Sequence, residues 1–349
     1  MVVVGADVHK RTHTFVAVDE VGRTLGEKVV AATTAGHHKA LLWAREQFGL
    51  ELLWGIEDCR PLSARLERDL LSAGQKVVRV APKLMAQARA SARTRGKSDP
   101  IDALAVARAV LREPDLPVAC HDIVSRELKL LVDRREDLVA QRTSTINRLR
   151  MRIHELDPAR APALGSLHRA KPRQLLADWL ATQTGVLAEL ARDELADIDR
   201  LTDTIDALAA RIGERTAAVA PALLALPGCG ELTAAKLFAE TAGVARFKSE
   251  PAFARHAGVA PIPVWSGNTA GRVRMTRSGN RQLNAALHRI AITQIRLTGS
   301  AGHTYYRKRI TAGNSTTEAL RCLKRRLARI VFTRLRADHH PDQAWQTAA

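Results

Sequence analysis

The stretch VVVGADVHKRTHTFVAVDEVGRTLGEKVVAAT, residues 2–33, decides the fold of the N-terminal part of the chain. It contains three β-branched runs, at residues 2–8, 14–19 and roughly 26–33, punctuated by turn residues such as Gly22. Runs of this length and composition, bounded by turn residues, are typical of successive strands. The stretch therefore predicts a three-stranded antiparallel meander.

Helices and strands alternate after this meander. The segments HKALLWAREQFG and PLSARLERDLLSAG have helical spacing, whereas ELLWGIEDC and KVVRVAP have the composition of strands. Alternation of this kind indicates a mixed sheet covered by helices, of α/β class. The order β-β-β-α-β-α-β-α is that of the ribonuclease H-like fold, which we predict for a domain of residues 1–120.

The middle of the chain, residues 121–220, changes to a longer period. Two sets of apolar residues fall close to heptad spacing, one from Leu128 to Leu156 and one from Leu187 to Ile212. They predict a long helical coiled-coil segment, which forms either an antiparallel hairpin within one chain or a contact between subunits. The first helix ends in a basic run, and residues 189–206 are mostly acidic. These two faces either pair with each other or leave the basic run for nucleic acid. The basic run comprises Arg142, Arg148, Arg150 and Arg152.

The charge of the chain points to a partner class. The 349 residues carry a formal net charge of +18, and residues 221–349 alone hold 20 basic and 6 acidic side chains. Such a concentration is the electrostatic footprint of a nucleic-acid-binding protein, and solubility does not require it. An anionic membrane is disfavoured because no basic amphipathic helix with aromatic anchors stands out.

The cysteines and the N-terminus bear on the compartment. Four scattered cysteines without a CxxC pair argue against a zinc site of the usual spacing and against a secreted disulfide framework. Neither a signal peptide nor an apolar stretch of membrane-spanning length is recognisable. We expect a cytoplasmic protein without a membrane partner.

The last third, residues 221–349, is predicted to be mainly helical. The segment ALLALPGCGELTAAKLFAET has the form helix, L-P-G-x-G turn, helix. This form resembles a helix-hairpin-helix element, in which Gly228 and Gly230 would let backbone N–H groups approach a DNA phosphate. The same letters also suit a simple corner between helices. A polar, Gly-rich loop follows, then a basic helix from about Asn280 and a basic tail after residue 300 to which the sequence assigns no role.

Four carboxylates form the candidate catalytic set. Asp7 lies within the first apolar strand and Glu57 ends another, where an unpaired charge is costly. Asp99 and Asp102, at i and i+3, share a face of the helix that starts near Pro100. Their spacing also fits a helix cap, with Asp99 at the N-cap and Asp102 in a capping box. Four converging acids predict a site for Mg²⁺ or Mn²⁺, which suits in-line displacement at phosphorus.

These motifs carry a family resemblance. The segments GADVHK, WGIEDC and KSDPIDA, followed by LPGCGELTAAKLFAE and the loop AGVAPIPVWSGNTAGRVRMTRSGNRQLNAAL, resemble the DEDD-type insertion-sequence transposases, the family founded by insertion sequence one-hundred-ten. The resemblance implies a RuvC-like N-terminal domain, similar to Holliday-junction resolvases, and a C-terminal transposase domain. It implies a recombinase that moves an insertion sequence, guided by a structured bridge RNA that pairs with donor and target DNA. It also implies dimers or tetramers.

The same resemblance places a nucleophilic serine on Ser266, in WSGNTAGR. A phosphoserine link would conserve bond energy and allow strand exchange. Without the resemblance, Ser266 is more simply a turn residue before Gly267, and Ser278 is a competing candidate. Nearby basic side chains are candidates for nucleic-acid binding, namely Arg272, Arg274, Arg277 and Arg281.

Two other functions are alternatives to the transposase interpretation. One is a structure-selective DNA nuclease of the resolvase type, in which the four acids activate water and no serine reacts. The other is a non-enzymatic nucleic-acid-binding protein in which Asp99 and Asp102 only cap a helix. The charge of the chain suits all three functions, but a carboxylate at Asp7 inside a strand is unexplained by the last.

Overall fold

The computed structural model describes residues 1–57, 60–90, 98–113, 116, 118–119, 123–271, 273–275 and 279–339. The chain divides into two compact units. The first unit consists of Met1–Ile123, Ala242–Asn284 and Asn314–Ala349, and the second of Val124–Thr241 and Ala285–Gly313. The three-part division predicted from the sequence, with boundaries at residues 120 and 220, stays a prediction.

A five-stranded mixed sheet forms the centre of the N-terminal segment. Its strands are β1 (Val2–Val8), β2 (Thr12–Val18), β3 (Thr24–Ala31), β4 (Leu52–Glu57) and β5 (Lys76–Val80). The spatial order is β3-β2-β1-β4-β5, with β1–β2 and β2–β3 antiparallel and β1–β4 and β4–β5 parallel. The predicted meander and the mixed sheet are confirmed.

The third strand lies two residues earlier than the sequence pattern suggested. The Asp19 side chain accepts hydrogen bonds from the backbone N–H groups of Val21 and Arg23, so the turn closes early and β3 begins at Thr24. At the other end, Thr33 becomes the N-cap of the next helix, because its hydroxyl accepts from the Gly36 N–H. Local side-chain bonding therefore sets both ends of β3.

Helices cover both faces of the sheet. They are α1 (Thr34–Phe48), α2 (Arg60–Ser72), α3 (Pro82–Ala90) and α4 (Asp99–Arg112). Alternate residues of β1 point to opposite faces, so Val4 packs with the core under α1 and α2, and Val3 packs with the core under α4. Burial on both faces explains why β1 is an almost continuous apolar run.

Two glycines allow α4 to pack unusually close to the sheet. A Cβ added at Gly5 would lie 2.2 Å from the carbonyl oxygen of Ala103, and one added at Gly55 would lie 2.6 Å from Cγ2 of Val110. Glycine is therefore required in β1 and in β4 by the approach of the helix. This close packing fixes the start of α4 relative to the ends of the strands.

The second unit is helical. It contains most of α5 (Ile123–Leu156), then α6 (Ala170–Ala181), α7 (Val186–Val219), α8 (Pro221–Leu224), α9 (Glu231–Thr241), the larger part of α11 (Arg281–Arg296) and α12 (Ala301–Thr311). The α10 helix (Glu250–His256) belongs to the first unit.

The two 34-residue helices, α5 and α7, pack against each other within one chain. Leu149 and Ile153 share a core with Ile198, whereas Leu138, nearer the start of α5, packs with Ile205, further along α7. The helices are therefore antiparallel, which is the hairpin alternative. The coiled-coil description and any contact between subunits stay predictions.

Several arginines of the basic run on α5 pair with α7. Arg148 and Arg152 each contact the buried carboxylate of Glu194, at 3.3 and 3.0 Å, and Arg142 donates to the Thr202 hydroxyl at 3.1 Å. Pairing between the two faces is thus the use that the structure assigns to these three side chains.

The rest of the first unit holds β6 (Pro261–Pro263), β7 (Val273–Met275) and α13 (Thr316–Ala337), besides α10. The β6 and β7 strands form a small antiparallel ribbon. The Arg325 guanidinium of α13 pairs with Glu250 of α10, and the rings of Phe253 and Phe332 lie 5.7 Å apart. Part of the basic tail is thereby a packing helix. None of the helices in the described ranges is both long and apolar enough to cross a membrane.

Candidate metal centre and serine loop

Asp7 lies near the carboxyl end of β1, on the face covered by α4. Its neighbour across the sheet is Thr14 of β2, and only 6% of Asp7 is exposed. Burial raises the pKa of the Asp7 carboxyl, the nearby carboxylates of Asp102 and Asp99 raise it further, and His9 opposes the shift. A carboxylate so placed is held at a cost, which a cation would relieve.

Glu57 is the last residue of β4, the strand that runs parallel to β1. Burial also raises the pKa of the Glu57 carboxyl, and the charges on Asp7 and Asp102 add to the rise, while Arg89 and His9 lower it. The parallel pairing of β1 and β4 brings both strand ends to one edge, so the two acids and Asp102 share one electrostatic environment.

The first turn of α4 supplies Asp99 and Asp102, and neither of them caps the helix. The N-cap is Ser98, with extended backbone angles and no side-chain cap hydrogen bond, so Asp99 is already the first helical residue. The predicted cap is therefore wrong by one position, and the expected capping box is absent. Asp99 has a side chain that is 54% exposed, and Asp102 is largely buried.

His9 joins the acids and was missed by the sequence interpretation. Its Nε2 lies 3.0 Å from Oδ2 of Asp7 and 3.4 Å from Oδ1 of Asp99, and one potential ligand atom from each of the three residues lies within 4.8 Å of the others. A signal was present, because residues i and i+2 at the end of a strand share a face. His9 could thus serve as a nitrogen ligand beside the carboxylates.

Arg89, from α3, is the second side chain that sequence reasoning did not find. Its Nη1 donates to Oδ1 of Asp102 at 2.8 Å, and its charge also acts on Glu57. This contact could not be predicted from a local sequence pattern, because it depends on how α3 and α4 pack. In this structure the guanidinium is the counter-charge of Asp102.

The donor set fits a divalent cation. Several carboxylate oxygens converge, the buried Asp7 and the partly buried Glu57 have raised pKa values, and oxygen ligands are those that Mg²⁺ prefers. An additional imidazole is compatible with Mn²⁺. The four predicted acids are thus brought together, while their roles stay predictions.

Ser266 lies on a different element of the same unit. It is exposed, in the segment between β6 and β7, and is followed by a single helical turn at Gly267–Thr269. Arg274 is an exposed residue of β7, opposite Ile262, and Arg281 is the exposed first residue of α11. Arg272, Arg277 and Ser278 lie outside the described residues.

The two glycines of the L-P-G-x-G turn differ in surroundings. Gly228 has a φ of +81°, and a Cβ there would lie 3.1 Å from Cβ of Thr293 on α11. A Cβ at Gly230 would meet no heavy atom within 4 Å. Gly228 is therefore needed for the turn and its packing, and Gly230, next to the start of α9, leaves the backbone open on one side.

Comparison with known proteins identifies the family. A family model described as "Transposase" matches residues 4–158, and one described as "Transposase IS116/IS110/IS902 family" matches residues 220–307. The chain belongs to this transposase family. The first match contains all four predicted acids, and the second contains Ser266, Gly228 and Gly230.

Relatives of this transposase are encoded by insertion elements. The uncharacterized 42 kDa protein of IS900 from Mycobacterium paratuberculosis is 29% identical, over 99% of this chain and 98% of its own length. The uncharacterized 44.8 kDa protein of IS116 from Streptomyces clavuligerus is 27% identical, over 95% of this chain and 94% of its own. Among solved structures, T. thermophilus RuvC in complex with Holliday junction substrate is similar to 34% of the transposase and 99% of its own chain, with 18% identity and a TM-score of 0.27.

Proposed function

We propose that this transposase cuts and exchanges DNA strands at a divalent-metal site held by Asp7, Glu57, Asp99 and Asp102. The observation that carries the proposal is the convergence of the buried carboxyl of Asp7 and the partly buried carboxyl of Glu57, both with raised pKa values, with the first turn of α4. Bound Mg²⁺ or Mn²⁺ would activate the attacking oxygen and stabilise the leaving oxygen. The protein supplies the ligands on rigid elements, since α4 packs closely on the sheet at Gly5.

Ser266 is the proposed nucleophile. Its Oγ would form a bond to phosphorus as the bridging P–O bond of the DNA strand breaks, and its proton would pass to solvent or a nearby base. The expelled oxygen would take up a proton and leave as the hydroxyl of the cleaved strand end. The phosphoserine keeps the energy of the broken bond, so that the hydroxyl of another strand end can attack phosphorus and release the serine. Support comes from the family resemblance of the WSGNTAGR segment and from the exposure of Ser266.

The partners follow from charge and from the family. DNA is the proposed substrate, and the strongly basic last third of the chain provides attraction for phosphate backbones. A structured bridge RNA as guide, and assembly into dimers or tetramers, rest on the family resemblance alone. Ser266 would then meet the acids either within one chain or across two subunits.

Trapping of a covalent protein–DNA intermediate tests whether Ser266 is the nucleophile. A DNA substrate that loses its cleaved end by diffusion should leave a covalent protein–DNA adduct in the presence of Mn²⁺, and the adduct should vanish in Ser266→Ala and in Asp7→Asn. Cleavage by Ser266→Ala at the rate of the unmodified protein, without an adduct, would establish the alternative, a resolvase-type nuclease in which the same acids activate water.

Mixing the variants tests where the two parts of the site meet. If they meet across subunits, Ser266→Ala and Asp102→Asn chains should together recover part of the recombination that each lacks alone. A mixture as inactive as its components, with both variants folded and binding DNA, would place the serine and the acids in one chain.

A further inference from the structure

The second unit contains a basic pocket that the proposed chemistry does not use. Three helices, α5, α9 and α11, contribute to it. Their charged side chains in the pocket are Arg135, Glu136, Lys236 and Arg289, and Val132 and Ala286 are among the apolar residues of its wall. Hereafter these residues are called the α5–α9–α11 pocket.

The charges in the pocket do not balance. Lys236 pairs with Glu136, which is the one carboxylate among the described lining residues. Arg135 and Arg289 therefore leave an excess of two positive charges. The Nε of Arg135 is buried and has no hydrogen-bond partner among the described residues, a property that it shares with the Nε of Arg142 and Arg150 on the same helix. A buried donor of this kind favours an anionic acceptor.

The position of the pocket indicates which anion it would take. Leu232 and Thr233 of the first turn of α9 line it, and they follow Gly230, where the backbone is open. The pocket and the L-P-G-x-G turn are thus adjacent along α9. Cations from separate helices beside such a turn suit the phosphates of a nucleic-acid backbone, which offers a series of anions along one strand.

We propose that the α5–α9–α11 pocket binds a backbone phosphate of DNA or RNA, with Arg135 and Arg289 as its ligands. The inference rests on the proposed nucleic-acid-binding function and adds a site to it. An acidic protein segment is the competing occupant. Nucleic acid is favoured because the net charge of +18 suits a polyanion and because the chain belongs to a transposase family.

The test compares two charge-matched double variants of the full chain. Arg135→Gln/Arg289→Gln removes the excess charge of the pocket. Arg134→Gln/Arg211→Gln removes the same charge from exposed positions on α5 and α7 outside the pocket. Binding of a fluorescent 20-base-pair duplex and of a single-stranded RNA is measured by anisotropy over a series of salt concentrations.

We expect the pocket variant to bind at least one of the two probes about tenfold or more weakly, with a log–log salt slope shallower by about one for each lost phosphate contact. The control variant should shift affinity by a much smaller factor. An equal loss of affinity in both variants would overturn the proposal, because it would show that the pocket arginines contribute only to the overall positive charge. Unchanged binding of both probes by the pocket variant, with tight binding of a polyglutamate peptide lost instead, would assign the pocket to a protein.

Two measurements keep the result interpretable. Melting temperatures in phosphate and in chloride of equal ionic strength should differ for the unmodified protein and not for the pocket variant, and a phosphate effect retained by the variant would count against the site. If Arg135→Gln/Arg289→Gln fails to fold, Arg135→Lys/Arg289→Lys preserves the charge and should keep the salt slope. An unmodified protein without salt-dependent binding would contradict the proposed function itself, whereas intact binding by the pocket variant contradicts only this inference.

Discussion

Replacing Gly5 by alanine tests whether the packing of α4 on the sheet sets the geometry of the proposed metal centre. The new Cβ would lie 2.2 Å from the Ala103 oxygen, 2.5 Å from the Ala107 nitrogen and 2.9 Å from the Ala107 Cβ. Ordinary contacts of a Cβ begin near 3.4 Å, so α4 must move away from β1 by about 1 Å. The obstacles are mainly backbone atoms, which do not rotate aside, and we expect a loss of about 3 kcal/mol in the free energy of unfolding.

The same movement displaces two of the proposed metal ligands relative to a third. Asp99 and Asp102 travel with α4, whereas Asp7 stays with the sheet. Metal sites tolerate ligand displacements of about 0.2 Å, and a misplacement of about 1 Å in a reacting geometry can reduce a rate by about 10²-fold. Gly5→Ala should therefore bind Mn²⁺ more weakly and cleave DNA about a hundredfold more slowly, even at temperatures where it is folded.

Denaturant unfolding, calorimetric titration with Mn²⁺ and a cleavage assay measure these effects. Gly26→Ala is the matched control, because its Cβ would meet only side-chain atoms, of which the nearest is Cζ of Phe48 at 3.2 Å. A Gly5→Ala protein whose stability stays within 0.5 kcal/mol and whose cleavage rate stays within twofold of the unmodified protein would refute the reasoning.

Further substitutions probe the acids and the core of the sheet. Asp7→Asn should raise the melting temperature without metal, since it removes a buried charge from a repelling cluster, and should abolish cleavage; full cleavage in the presence of a chelator would contradict the metal site. Arg89→Gln should lower the metal-free stability by about 1–3 kcal/mol, because Asp102 loses its partner. The same change should tighten Mn²⁺ binding. Weaker Mn²⁺ binding in titration calorimetry would show that the guanidinium does not compete with the cation. Burial lowers the pKa of His13 to about 4. As the pH falls from about 6.5 to 4, the imidazole is therefore protonated in the unfolded chain but stays neutral in the folded chain. The free energy of unfolding should fall by up to about 3 kcal/mol over this range. His13→Gln should flatten that acid limb in denaturant unfolding, and parallel limbs in both proteins would exclude His13 as its cause.

The sheet and its acids were predictable because they rest on local pattern. Alternating and continuous apolar runs mark β1 and β4, and a carboxylate within such a run is conspicuous in a sequence. Asp99 and Asp102 were predicted from another local pattern, their i, i+3 spacing at the start of a helix, but their capping role was misjudged, because the N-cap is Ser98. A one-residue difference of this kind lies below the resolution of sequence patterns.

Contacts between distant segments were not predictable. Arg89 reaches Asp102 only because α3 and α4 pack side by side, and the α5–α9–α11 pocket draws its arginines from positions 154 residues apart in the chain. Likewise, the basic run of α5 fits either nucleic acid or α7 when only its charge is known. For Arg148 and Arg152 the structure shows the pairing with α7, because the antiparallel hairpin places Glu194 opposite them.

The composition of the first unit from separate segments has a consequence for biosynthesis. The sheet and α4 are complete once residue 112 has been translated, but α13, in the same unit, ends at Ala337. At about 5–20 residues per second, a ribosome needs roughly 10 to 45 seconds to pass from one point to the other. During this interval the nascent chain carries its cluster of acids while the serine loop and α13 are still being made. A message cut short before the last helix would therefore yield a polypeptide with the acids but without the finished unit. The proposed joining of strands would become possible only late in synthesis.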